Sequence, residues 1–105
     1  MIQVSIKVAA KGTHPNYAHG AVAWKGGRIL GVSANTRERH AEARLLKKLG
    51  AAAEGSIVVN AMIRQRSGTL GPSFPCAKCL SLLRAARVKR IIYLDSEGDP
   101  ASMDL

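Results

Sequence analysis

Only two cysteines occur in the chain, Cys76 and Cys79, and their spacing restricts the fold more than any other feature. They stand three apart at the head of an apolar-periodic stretch, Phe74-Pro75-Cys76-Ala77-Lys78-Cys79. Residues three and four apart are neighbours on a helix, so Cys76, Cys79, Leu80 and Leu83 share one face. Pro75 suits the opening of that helix, where a missing N–H costs nothing. A second segment has the same design. Glu42, Leu45, Leu46 and Leu49 form one stripe, Arg44, Lys47 and Lys48 lie opposite, and Gly50 stands where a glycine ends a helix. His40 and Glu42, two apart, diverge within a regular helix, so His40 is expected at or just before the N-cap, its ring turned back toward the site. Each helix then buries a stripe and carries polar chemistry at its N-terminal end.

Two thiolates and an imidazole suit tetrahedral zinc, and three protein ligands leave a fourth position for water. Helix N-termini favour thiolate over thiol, which eases metal binding. A carboxylate that is not a ligand, placed beside such a water, can move its proton. The set His40, Glu42, Cys76, Cys79 thus reads as a catalytic zinc centre with Glu42 as the proton carrier. A closed structural site would need a fourth ligand, with His14 and His19 the only other histidines, and would leave Glu42 without a role.

His40-x-Glu42 with Pro75-Cys76-x-x-Cys79 is the signature of zinc-dependent nucleobase deaminases. The chain resembles the cytidine and deoxycytidylate deaminase-like superfamily, most specifically from about Gly20 to Leu94. The resemblance implies a single domain over residues 1–105, with zinc held by His40, Cys76 and Cys79. It implies hydrolytic conversion of cytosine to uracil, with Glu42 passing a proton to the ring nitrogen and to the departing ammonia. Attack at C6 of adenine, as in the tRNA-acting adenosine deaminases, is the family's other chemistry.

Length and composition agree with one folded domain. The 105 residues are 47% hydrophobic but only 4% aromatic, so aliphatic side chains must fill the core. Two cysteines at ligand spacing, with none left over, and an N-terminus that mixes Gln3, Ser5 and Lys7 into its apolar residues argue for a cytoplasmic protein without a membrane span. Sixteen basic residues against seven acidic ones give a net charge of +9. Such a field draws polyanions and small phosphorylated substrates alike.

Ile2 to Lys11 fits both a strand alternation and a helical stripe, and the family's initial helix decides for helix. Gly12 to Gly20 reads as a loop. Ala21–Trp24 and Arg28–Ala34, joined by Lys25-Gly26-Gly27, read as a hairpin. The first site helix follows at about Ala41–Leu49, then a nearly continuous apolar strand, Ile57–Ile63. A Gly-, Ser- and Pro-rich loop leads from Arg64 to Phe74, ahead of the second site helix at about Pro75–Ala86 and a strand at Arg90–Leu94. Strand, helix, strand, helix, strand argues parallel pairing through right-handed crossovers. Ala101–Leu105 remains as an antiparallel edge strand, resembling the free-cytidine branch of the family, with no room for the extra helix of polynucleotide-acting members. The expected fold is α/β: a three-layer α-β-α sandwich around a mixed sheet of about five strands.

The substrate contacts implied by the resemblance are Asn35 at the sugar, Tyr17 and His19 at the mouth, and Ser73, Phe74 and Pro75 beside the base. Asn35 also fits a role in its own turn. Arg64 and Arg66 are candidates to grip phosphates. Charge and a short C-terminus pull in opposite directions on substrate. A short Asn35–His40 loop leaves the mouth open, which leans the reading toward cytosine in single-stranded nucleic acid. Free (deoxy)cytidine or its monophosphate is the alternative substrate, and a non-catalytic zinc-stabilised nucleic-acid-binding module the alternative from another class. Relatives often form dimers or tetramers, so a homo-oligomer is expected.

Overall fold

The computed structural model describes residues 2–105. Its elements run α1 (Ile2–Ala9), β1 (Tyr17–Lys25), β2 (Arg28–Ala34), α2 (Ala41–Leu49), a 3₁₀ turn (Gly50–Ala53), β3 (Ile57–Arg64), α3 (Ala77–Ala85), β4 (Arg90–Leu94) and β5 (Pro100–Asp104). One five-stranded sheet has the order β2-β1-β3-β4-β5. β1 pairs antiparallel with both β2 and β3, β3 runs parallel to β4, and β5 closes the edge antiparallel to β4. The expected mixed sheet is therefore present. The parallel crossover through α3 joins true neighbours, whereas the crossover through α2 carries the chain from β2 over β1 to β3.

Gly26 and Gly27, both at positive φ, make the tight hairpin between β1 and β2. The first strand begins earlier than local sequence predicts. Tyr17 to Gly20 look like loop, yet they pair with Arg64 to Ala61 of β3, because a long partner strand supplies ladder bonds that turn chemistry cannot. The same extension carries β3 out to Arg64.

Alternation along β1 divides the core. Ala21 and Ala23 face α2 and α3, joining Leu45, Val58, Leu83 and Ile91 in the main cluster. Gly20 faces the opposite way, where α1 lies directly on the strand: a Cβ there would overlap the Ala9 nitrogen and the Ser5 carbonyl oxygen. Helices thus cover both faces, as a three-layer sandwich requires. Tyr17 and His19 share the face of Ala21, so extending β1 aims both toward the head of α2.

Candidate metal centre and active site

His40 is the N-cap of α2 with extended backbone (φ −72°, ψ 148°), and Cys76 is the N-cap of α3 (φ −64°, ψ 164°). Cap positions have non-helical dihedrals, which frees His40 from the divergence that a regular helix would impose on it and Glu42. Its Nδ1 lies 3.6 Å from Cys76 Sγ and 3.3 Å from Cys79 Sγ. All three donor atoms lie within 4.8 Å of one another. A tetrahedral zinc with ordinary Zn–S and Zn–N bonds sets such donors about 3.6 Å apart. The donor set fits that ion, and no fourth His, Cys, Asp or Glu joins the group among the described residues.

The protonation balance also favours a cation. Burial first, then the Glu42 carboxylate and Cys76, pushes the Cys79 thiol up to about 12. A cation held among the donors would favour the thiolate over the buried thiol.

Glu42, in the first turn of α2, is 5% exposed. One carboxylate oxygen accepts a 3.2 Å hydrogen bond from Asn60 Nδ2. Burial raises its pKa, against the pull of its own backbone N–H and of His40. Asn60 is the site residue that sequence reading misses. It sits in β3 opposite Ala21, on the face covered by the site helices. The available signal was one amide within an otherwise apolar strand: buried polar groups need partners, and its Oδ1 has none among the described residues.

A cavity of about 330 Å³ opens over this centre, walled by His14, Tyr17, His19, Asn35, Thr36, Arg37, His40, Glu42, Phe74 and Cys76. His19 is pushed down to about 4, by burial first and then by the charges of His40 and His14, so a neutral imidazole lines the wall at neutral pH. Phe74, 45% exposed, meets Tyr93 edge-on at 4.9 Å and stands at the rim with Tyr17, 49% exposed.

Several expected contacts fall elsewhere. Asn35 borders the cavity, but its Oδ1 accepts from His19 N–H (2.9 Å) and its Nδ2 donates to the Tyr17 carbonyl (2.8 Å), so its amide fastens the start of β1. Ser73 is buried away from the cavity: its hydroxyl donates to the Asn60 carbonyl and accepts from Leu94 N–H, tying the loop to β3 and β4. Pro75 is buried and does not line the cavity. Arg64 and Arg66 do not line the cavity either. The chain folds back after β3 through an Ile63–Leu70 bridge, and Arg64 Nη1 donates to the Leu70 carbonyl. Arg37 is the cation in the cavity wall. His14, weighed as a fourth ligand, spends Nδ1 on the N–H groups of Asn16 and Tyr17.

Comparison with known proteins agrees with this geometry. The model of the family described as cytidine and deoxycytidylate deaminase zinc-binding region matches residues 1–95. Two solved structures of Acinetobacter baumannii RibD, forms 2 and 1, are similar at 26% identity over 86% of this chain, with TM-scores of 0.63 and 0.64. A diaminohydroxyphosphoribosylaminopyrimidine deaminase/5-amino-6-(5-phosphoribosylamino)uracil reductase from Thermotoga maritima shares the fold, at 24% identity over 83% of this chain and a TM-score of 0.60. This chain spans only 25%, 25% and 26% of those three chains. No curated protein matches it.

Proposed function

We propose, from the premise that the chain belongs to the cytidine and deoxycytidylate deaminase zinc-binding family, that it hydrolyses the exocyclic amine of a cytosine ring. The observation that carries this reading is a buried carboxylate, Glu42, that lines an open cavity together with His40 and Cys76 of the His40–Cys76–Cys79 donor set. Zinc held by those three residues supplies a Lewis acid that makes water a usable nucleophile near neutral pH.

The chain's own residues do the rest. Glu42 takes a proton from the attacking water and delivers it to the ring nitrogen. It then moves the second proton to the amine, so cytosine and water become uracil and ammonia. A carboxyl raised by burial suits this work, since the group must both accept and release a proton. Asn60 fixes one oxygen of Glu42 and leaves the other for the substrate side. Neutral His19 offers the ring or sugar a hydrogen bond without adding charge.

For substrate we favour cytosine in single-stranded nucleic acid. Tyr17 and Phe74 present half-exposed rings at the rim, where flanking bases can stack. A second reading, a pyrimidine carrying a phosphorylated pentose, draws on the phosphoribosylaminopyrimidine for which the similar Thermotoga maritima protein is named and on Arg37 as a single cation in the cavity wall. Turnover of cytidine, deoxycytidine, deoxycytidylate and a cytosine-containing single strand tests the reading. Glu42→Ala should keep zinc and fold while losing roughly 10²–10⁴-fold or more in rate. Loss of zinc in that variant would make Glu42 a ligand, and retained turnover would refute the mechanism.

A further inference from the structure

Behind the metal centre lies a second cleft of about 360 Å³, between the heads of α2 and α3. Arg39, Arg44, Lys47 and Lys78 line it, with Glu38 the one carboxylate in its wall. None of the four cations is ion-paired among the described residues; the two ion pairs found there are Arg87–Glu54 and Arg90–Asp104. Four like charges around one hollow repel one another, and the positive ends of two helices add to the same field. Glu38 offsets one of the four charges, and Arg44 Nη1 also donates to the Ala34 carbonyl (2.6 Å); an anion would offset the rest.

His40 is the single residue that borders both the substrate cavity and this cleft. The loop ahead of it sends Arg37 to the cavity and Arg39 to the cleft. A chain of phosphates leaving the cavity therefore meets cations in succession as it passes His40. A second copy of the protein is a poor occupant, since it brings a net charge of +9 to a cationic surface.

We infer that the cleft lined by Arg39, Arg44, Lys47 and Lys78 is a phosphate-binding site for the backbone of a single-stranded polynucleotide whose target base occupies the neighbouring cavity. This rests on the deaminase reading for the base and on the cleft's own charge for the phosphates. The two can be separated.

The test is fluorescence anisotropy with two labelled DNA strands of about twelve nucleotides, within the span that a single-strand site covers. One strand is all thymine, the other has a single central cytosine. The double variant Arg39→Ser/Lys78→Ser is compared with Arg84→Ser/Lys89→Ser, which removes the same charge at the far end of α3. Zinc content and melting temperature check that both remain loaded and folded. Lys47→Ser, two turns beyond His40, replaces the cleft variant if zinc is disturbed.

The cleft variant should weaken both strands about tenfold or more, and flatten the salt dependence by about 1.4 log units of affinity per log unit of salt for two lost contacts. The far-end variant should stay within about threefold of the parent. Equal losses in the two doubles would reduce the effect to general charge and overturn the site. Displacement of bound strand by micromolar inorganic tripolyphosphate would overturn the polynucleotide as occupant. Cleft-dependent binding with no uracil formed in the cytosine strand would keep the phosphate site and remove the nucleic-acid deaminase reading.

Discussion

Asn35 shows how one residue can satisfy two descriptions. Its position beside the cavity fits a family contact to sugar, yet both ends of its amide are bonded to the β1 backbone. Its own N–H donates to the His19 carbonyl, and its carbonyl accepts from Thr13 N–H. Asn35→Ala strands a backbone donor and a backbone acceptor, the His19 N–H and the Tyr17 carbonyl, both in part-buried hydrogen bonds. The expected cost is about 1–3 kcal/mol of stability for each group left unpaired. Urea denaturation measures this. An unchanged midpoint with a raised KM would instead make Asn35 a substrate contact and not a fastener.

At the scale of elements, two nine-residue helices meet at their heads. Short helices are marginal by themselves, so their junction must be held by packing and by whatever joins His40 to Cys76 and Cys79. Removing zinc should therefore act on stability as well as on rate. At free zinc one hundredfold above its Kd, binding contributes about 2.7 kcal/mol. For a domain of this size that is a fall of roughly 10–20 °C in Tm when a strong chelator is added. Cys79→Ala should melt low and be indifferent to the chelator. A Tm unmoved by chelation in the parent would separate the metal from the fold. Not all packing depends on the junction: α1 rests against β1 through Gly20, on the opposite side of the sheet.

The whole molecule is small and strongly cationic, with a radius of gyration of 12.2 Å and a net charge of +9. The screening length falls from about 30 Å at 0.01 M salt to about 8 Å at 0.15 M. At the lower salt every charge senses nearly every other, and the unfolded chain relieves that repulsion by expanding. Raising sodium chloride over this range should lift the Tm of the zinc-loaded protein by a few degrees, each ~1 kcal/mol being worth about 4–8 °C here. A melting curve at each salt concentration checks it. A fall in Tm would mean that attractive pairs outweigh repulsion. No described helix is long and apolar enough to cross a membrane.

The sequence by itself determined what depends on neighbours along the chain. Cysteines three apart, histidine at a helix head and glutamate within the first turn place the donor set and the carboxylate, because helical spacing is local geometry. The paired glycines of the hairpin and the edge strand after Leu94 were legible for the same reason. Tertiary structure decided whatever rests on a partner elsewhere in the chain. β1 starts at Tyr17 and not Ala21 because β3, some forty residues on, completes its ladder. Asn60 joins the site, Ser73 and Pro75 leave the cavity wall, and Arg37 replaces Arg64 and Arg66 there, because strand pairing and loop return set those side chains. The cationic cleft belongs to that second group too. Its charges come from a loop and two helices separated in sequence, and only the packing of α2 beside α3 brings them around one hollow.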